Sequence, residues 1–159
     1  MLPRSYLTGI QLAVRAGAGA TLALIIAQVL RLDYPIFAFI AAVTVTDLRP
    51  AQTRDLGLVR IMATFVGALL GATLSPLLPA EAWSVGLSVL IAILVAEVLR
   101  AREGGRVAGY ICGLIVLDQN IAPWHYATFR FVETVLGVSV AWLISYVPKL
   151  IRVEEPGER

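Results

Sequence analysis

Apolar residues fall along this chain in six runs, parted by short polar stretches. Residues 7–30 form the first, interrupted by Gln11, Arg15 and Gln28. At about 1.5 Å per residue a helix of this length crosses a bilayer. It is too long for a cleavable signal core and lacks a clear cleavage site before Arg31, so it is retained as helix 1. Residues 34–47, with Pro35 at a helix-starting position, predict a short helix 2 of about 21 Å. Residues 56–78 predict a full-length helix 3 stopped by Pro76 and Pro79. Residues 83–99 predict helix 4, with Trp83 at the interface. A second short run, 107–118, predicts helix 5. Residues 128–147 predict helix 6, with Trp124 and Tyr126 before it and Tyr146, Pro148 and Lys149 closing it. The expected fold class is an all-α membrane protein with six transmembrane helices, followed by a polar tail at 149–159.

Composition sharpens this picture. Of 159 residues, 58% are hydrophobic and 15% charged, against about 25% charged in soluble domains. A water-soluble domain of about 150 residues hides only about 70% of its surface, so part of the solvent must be lipid. Six spans of about 20 residues leave no room for a second domain. One histidine, His125, and one cysteine, Cys112, make neither a zinc site of usual composition nor a disulfide, and no metal or cofactor is expected. No G-x-x-x-x-G-K-[ST] string is present, so uphill work must draw on an ion gradient or another subunit. No nucleophile, base and orienting group are recognisable together, which argues against an enzyme. The net charge of +2 could suggest nucleic acid, but the 13 basic residues lie between the apolar runs rather than in a stripe.

Their placement reports topology instead. With six crossings and both termini inside, Arg4, Arg49, Arg54, Arg60, Arg100, Arg102, Arg106, Lys149, Arg152 and Arg159 face the cytoplasm. Only Arg31 and Arg130 lie outside, with Arg15 within helix 1. If helices 2 and 5 failed to cross, this asymmetry would shrink.

The two halves also resemble each other. Ala27-Gln28-Val29-Leu30-Arg31 matches Ala96-Glu97-Val98-Leu99-Arg100 at an offset of 69, and Asp47 matches Asp118 at 71. Arg60, Thr64, Gly67 and Ser75 match Arg130, Thr134, Gly137 and Ser145 at 70. Each unit, about 7–78 and 83–148, holds three helices, so the second must enter the membrane from the opposite face. This predicts an inverted-topology repeat, in which paired short helices such as 2 and 5 point to the binding site.

These residues bring a resemblance into view. Arg60 through Thr64 and Gly67, Ala27-Gln28 followed by Leu32 and the short helix from Tyr34, and above all Arg130-Phe131-Val132-Glu133-Thr134-Val135-Leu136-Gly137 resemble the aromatic acid exporter family. That family belongs with the fusaric-acid-resistance (FUSC-like) transporters, and the plant aluminium-activated malate transporters are similar. The resemblance covers approximately residues 4–148. It implies a six-helix inner-membrane domain, pairing of two such domains, and export or conduction of organic anions. Many members carry a sizeable cytoplasmic region after the membrane domain, whereas this sequence ends at Arg159.

Several residues invite a role. Arg60 and Arg130 are expected to open helices 3 and 6, each with Thr at i+4 and Gly at i+7 on one face. A guanidinium fork, a hydroxyl and a gap can hold a carboxylate. The plain alternatives are an inside-positive anchor for Arg60 and a surface pair with Glu133 for Arg130. Arg15 either lines the path or snorkels to the interface. Asp47 and Asp118 end the short helices, where the dipole disfavours negative charge; they are gating or coupling candidates, or solvated loop carboxylates. Glu97 is a coupling candidate or pairs with Arg100, and His125 reads as an outer-loop residue. Gly67 with Gly71, and Gly105, Gly109 and Gly113, have the four-residue spacing that lets membrane helices approach closely, or keep a narrow conduit open. Cys112 reads as a small filler. Together these predict a homodimeric exporter of small organic, aromatic included, carboxylates, embedded in the bilayer of a bacterial inner membrane with cytoplasmic termini. A passive anion channel, or a scaffold that only holds partners, are the alternatives.

Overall fold

Six helices follow one another in a computed structural model that describes residues 4–99, 104–118 and 122–147. They are α1 (Arg4–Val29), α2 (Ile36–Val45), α3 (Pro50–Leu74), α4 (Ala82–Val98), α5 (Gly105–Leu117) and α6 (Pro123–Ser145), with no strand among the described residues. The expected helix order holds, and α2 and α5 are short, with 10 and 13 residues. The topology signals Arg100, Arg102, Lys149, Arg152 and Arg159, with Pro148 and the tail at 149–159, lie outside the described residues, as does the side chain of Arg4.

The starts of two helices differ most from expectation, with a shared cause. Helices α3 and α6 begin at Pro50 and Pro123, each proline at the first helical turn, where its missing N–H has no intrahelical partner to lose. The polar residues after Pro50 and the aromatic ones after Pro123 therefore belong to helix rather than loop. Arg60 and Arg130 accordingly do not open their helices; they lie well inside them. Helix α3 ends at Leu74 with Ser75 as its cap, and the chain turns through Pro76 to Pro79. At the end of α1, Arg31 N–H reaches Gln28 O (3.0 Å) and Leu32 N–H reaches Ala27 O (3.0 Å). This turn puts Arg31 at φ 53°, a left-handed position that glycine usually fills.

Size is sorted inside out. The buried positions of α4 are Ser84, Ser88, Ala92 and Ala96, and those of α2 are Ala38, Ala41, Ala42 and Val45. The exposed positions are large and apolar: Leu58, Met62, Phe65 and Leu69 on α3, and Leu87, Leu90, Leu94 and Val98 on α4. Small residues inside allow close backbone approach, and a bilayer solvates the bulky apolar exterior. Tyr6–Val29, Pro50–Leu74 and Pro123–Ser145 are long and apolar enough to cross a membrane; Ile36–Val45, Ala82–Val98 and Gly105–Leu117 are shorter apolar helices. The chain is an all-helical membrane protein.

Helices α3 and α6 form the central seam. They run antiparallel, because a side chain at Gly57 would strike Val138, Thr64 meets Thr134, and Ala68 and Ala72 share a buried cluster with Tyr126 and Ala127. Around the seam α1 packs on α2 and α6, while α4 packs on α5 and α3; α2 lies on α6 as α5 lies on α3. The pairing is unchanged when the first three helices are exchanged with the last three. Gly67 matters in this packing, since a Cβ there would lie 2.5 Å from Ala108 O on α5, and a Cβ at Gly137 would likewise collide with Ala38 O on α2. Gly71 lies against Ile115 and Cys112. The α5 glycines face α4: Gly105 meets Ala96 and Ile93, Gly109 meets Ile93 and Val89, and Gly113 meets Val89 and Val85.

Candidate functional site

The R-x-x-x-T face of α3 and that of α6 meet at the seam. Thr64 is buried, donates its hydroxyl to Arg60 O one turn back (2.8 Å) and lies 3.5 Å from Thr134 Oγ1. The two arginines flank this contact, as the antiparallel helices require. Both are buried, Arg60 at 9% exposure and Arg130 at 2%. The Arg60 guanidinium lies over the Tyr110 ring, 5.4 Å from its centroid, and its Nε has no hydrogen-bond partner. The Arg130 guanidinium lies on the face of Phe37 and 5.1 Å from the Tyr126 centroid, with Nε and Nη2 unpartnered. Aromatic faces hold a guanidinium through the ring quadrupole while leaving its N–H donors unspent. The site is therefore a closed pair of cations with donors in reserve. The surface grooves next to the seam have other walls: one of about 160 Å³ between α3 and α6 is lined by Phe65, Leu69, Trp124, Thr128 and Phe131 with two alanines.

Beside Arg130 sits a residue whose position the sequence pattern undervalues. Glu133 is fully buried, and its Oε1 accepts the Tyr34 N–H at 2.7 Å, while Oε2 has no partner. The surface pair expected between Arg130 and Glu133 does not form: both face inward, and the carboxylate turns to a backbone donor just before α2. Tyr34 closes over the cluster, its ring edge-on to Tyr126 at 4.9 Å and 6.3 Å from Phe37. Burial, reinforced by the nearby Asp118 carboxylate, pushes the Tyr34 phenol above its ordinary range. Asp118, at the end of α5, thus lies on the Tyr34 side of the molecule.

With this geometry in place, the whole chain can be compared with known proteins. Residues 10–147 match the family described as aromatic acid exporter family member 1. The chain belongs to the aromatic acid exporter family. No curated protein matches it, and no solved structure does. The match reaches into all six helices and covers every candidate residue, and membership of this family points to a role in membrane transport. The likeness to plant aluminium-activated malate transporters rests on the sequence motifs alone.

The other candidates lie apart from the seam contact. Arg15 does not face the seam threonines; it donates through Nη1 to Leu48 O (3.0 Å) and through Nη2 to Val147 O (2.5 Å), fastening α1 to the segment after α2 and to the end of α6. Asp47 organises the start of α3: its Oδ1 accepts Arg49 N–H (2.9 Å), and its own N–H donates to Thr53 Oγ1 (3.0 Å). This is an Asx-type turn, not a side-chain pair with Arg49. Glu97 is exposed on the last turn of α4, and its expected partner Arg100 lies outside the described residues. His125 sits in the first turn of α6 rather than in a loop, 2.7 Å from Asp33 Oδ2, and packs on Phe129.

Sequence reasoning missed Tyr34, Phe37, Tyr110 and Tyr126 as the rings around the guanidinium groups. The available signal was Glu133, a carboxylate inside an apolar run and one turn from Arg130, where an ionisable residue marks a functional position by default.

Proposed function

We infer that this protein exports small organic carboxylates, aromatic ones included, out of a bacterial cytoplasm across the inner membrane. In this reading all six helices cross or enter the bilayer as two inverted three-helix units, both termini are cytoplasmic, and the working form is a homodimer. The exchangeable pattern of helix packing and the antiparallel seam support the inverted units. The observation that carries the substrate reading is the pair of buried arginines flanking the Thr64–Thr134 contact, with Nε of Arg60 and Nε and Nη2 of Arg130 lacking an acceptor. Buried donors without partners are unfavourable and rare, and a carboxylate satisfies a guanidinium fork better than any neutral group does. Aromatic rings already line these cations, and a benzoate ring is suited to the same surroundings. In this reading the closed seam is an occluded state, which opens when one unit rocks against the other.

A thermal-shift screen of organic acids on detergent-solubilised protein tests this. Aromatic carboxylates are expected to stabilise the wild type, with the effect lost in Arg130→Ala and weakened in Arg60→Ala. Equal stabilisation of wild type and both variants would remove the arginines from the site. Discrete single-channel openings in a planar bilayer would replace the exporter by a passive anion channel.

A further inference from the structure

A buried carboxylate with a spare oxygen is unfavourable inside a membrane protein, and such groups are kept for a reason. Glu133 is fully buried, uses Oε1 on the Tyr34 N–H and leaves Oε2 without a partner. The Tyr34 N–H lies two residues before α2, at the end of that helix where backbone dipoles favour an anion. One turn away on α6, Arg130 holds two unpartnered nitrogen donors and is itself almost wholly buried. Donors and a free acceptor oxygen thus share a cluster without saturating one another.

The fold does not require a carboxylate at this place. At the offset of 70 that relates Arg60 to Arg130, the counterpart of Glu133 is Ala63. Ala63 packs against Gly104, at the start of α5, as Glu133 meets Tyr34 at the start of α2. Methyl packing therefore suffices in the first half, and the second half has an ionisable group where packing alone would serve.

We propose that Glu133 is a resident carboxylate occupying the seat that the transported carboxylate takes, and that its protonation vacates the seat. The proposal rests on the exporter reading and adds to it the coupling group. A proton from water at one face binds a Glu133 oxygen, and the neutral acid holds the Tyr34 N–H less strongly than the carboxylate did, so that a substrate carboxylate displaces it. The substrate carboxylate then bridges that N–H and the Arg130 donors. When the anion leaves at the other face, the proton leaves to water there as well and Glu133 resumes its place, so one proton moves with each anion and no other bond changes. The charged and titratable groups facing this seat are Asp33 and Tyr34 before α2, Tyr126 and Arg130 on α6, and Tyr110 and Asp118 on α5. His125 is engaged by Asp33, and α3 contributes Arg60 over Tyr110.

The test uses benzoate for binding and, for flux, radiolabelled 4-sulfobenzoate, whose fixed sulfonate charge keeps it from crossing lipid as a neutral acid, with full-length protein in liposomes. Wild type is expected to accumulate 4-sulfobenzoate against its gradient when a pH gradient is imposed, and protein-free liposomes are not. Glu133→Gln, nearly isosteric, is expected to lose gradient-driven accumulation. Benzoate affinity of the wild type should change by up to about tenfold per pH unit, as one linked proton dictates, and become flat in the variant. Accumulation and a pH profile that survive Glu133→Gln would overturn the proposal while leaving the exporter reading intact. Should that variant not fold, calorimetric titration of wild type with benzoate in buffers of different ionisation enthalpy decides: uptake of one proton per benzoate supports the proposal, and no uptake overturns it. Absence of benzoate binding and of 4-sulfobenzoate flux in wild type, with the same result for other organic acids, would overturn the exporter reading itself.

Discussion

Gly67 and Gly137 allow a quantitative test of the packing. Replacing Gly67 by alanine would set a Cβ 2.5 Å from Ala108 O and 2.9 Å from Ala108 Cα, roughly 1 Å inside ordinary contact. Both are backbone atoms, so no rotamer change relieves the clash and α3 must draw away from α5. Overpacking of this kind costs about 1–3 kcal/mol. Alanine's better helix propensity returns up to about 1 kcal/mol. The net expectation is a destabilisation of about 1–2 kcal/mol, for Gly67→Ala and equally for Gly137→Ala against Ala38 and Ala41. Gly17 on α1 is the control, because nothing lies within 4 Å of a Cβ built there. Gly17→Ala should keep only the propensity gain and stabilise by up to about 1 kcal/mol. Unfolding in mixed detergent micelles followed by circular dichroism measures all three. If Gly67→Ala and Gly17→Ala moved stability in the same direction by similar amounts, the close approach of α3 to α5 would be refuted.

Arg15→Met removes two donors that hold the Leu48 and Val147 carbonyls. Charged hydrogen bonds contribute about 1.5–3 kcal/mol each when buried, and the exposed Val147 end can regain water, so a loss of about 2–3 kcal/mol is expected in the same unfolding assay. Arg31→Gly relieves a left-handed conformation worth about 1–2 kcal/mol, less about 0.4–1 kcal/mol of added unfolded-chain entropy; a thermal melt should show a gain of a few degrees. Asp33→Asn breaks the exposed contact with His125 and should cost less than about 1 kcal/mol, with added salt narrowing the difference from wild type.

Much of the fold is legible in the pattern of apolar runs, because lipid solvation makes a spanning helix visible by length alone. The starts of α3 and α6 are less visible, since Pro50 and Pro123 precede residues polar or aromatic enough to read as loops. The meeting of Thr64 with Thr134 follows from the repeated R-x-x-x-T-x-x-G spacing once the helices are antiparallel. What the pattern could not supply is contact between distant segments: Glu133 finds Tyr34 across 99 positions, and Arg15 finds Val147 across 132. Asp47 was ambiguous for another reason. Its partners are backbone groups and a hydroxyl within six residues, a local turn that leaves no charge signature.

The threonine contact at the seam joins two residues that occupy the same place in their respective halves. A self-meeting point of this kind needs only one set of instructions: a half-length chain bearing a single such threonine could form the same junction with a second copy of itself. On the reading of two inverted units, the acid at Glu133 and the alanine at Ala63 mark where the two halves differ around that shared junction.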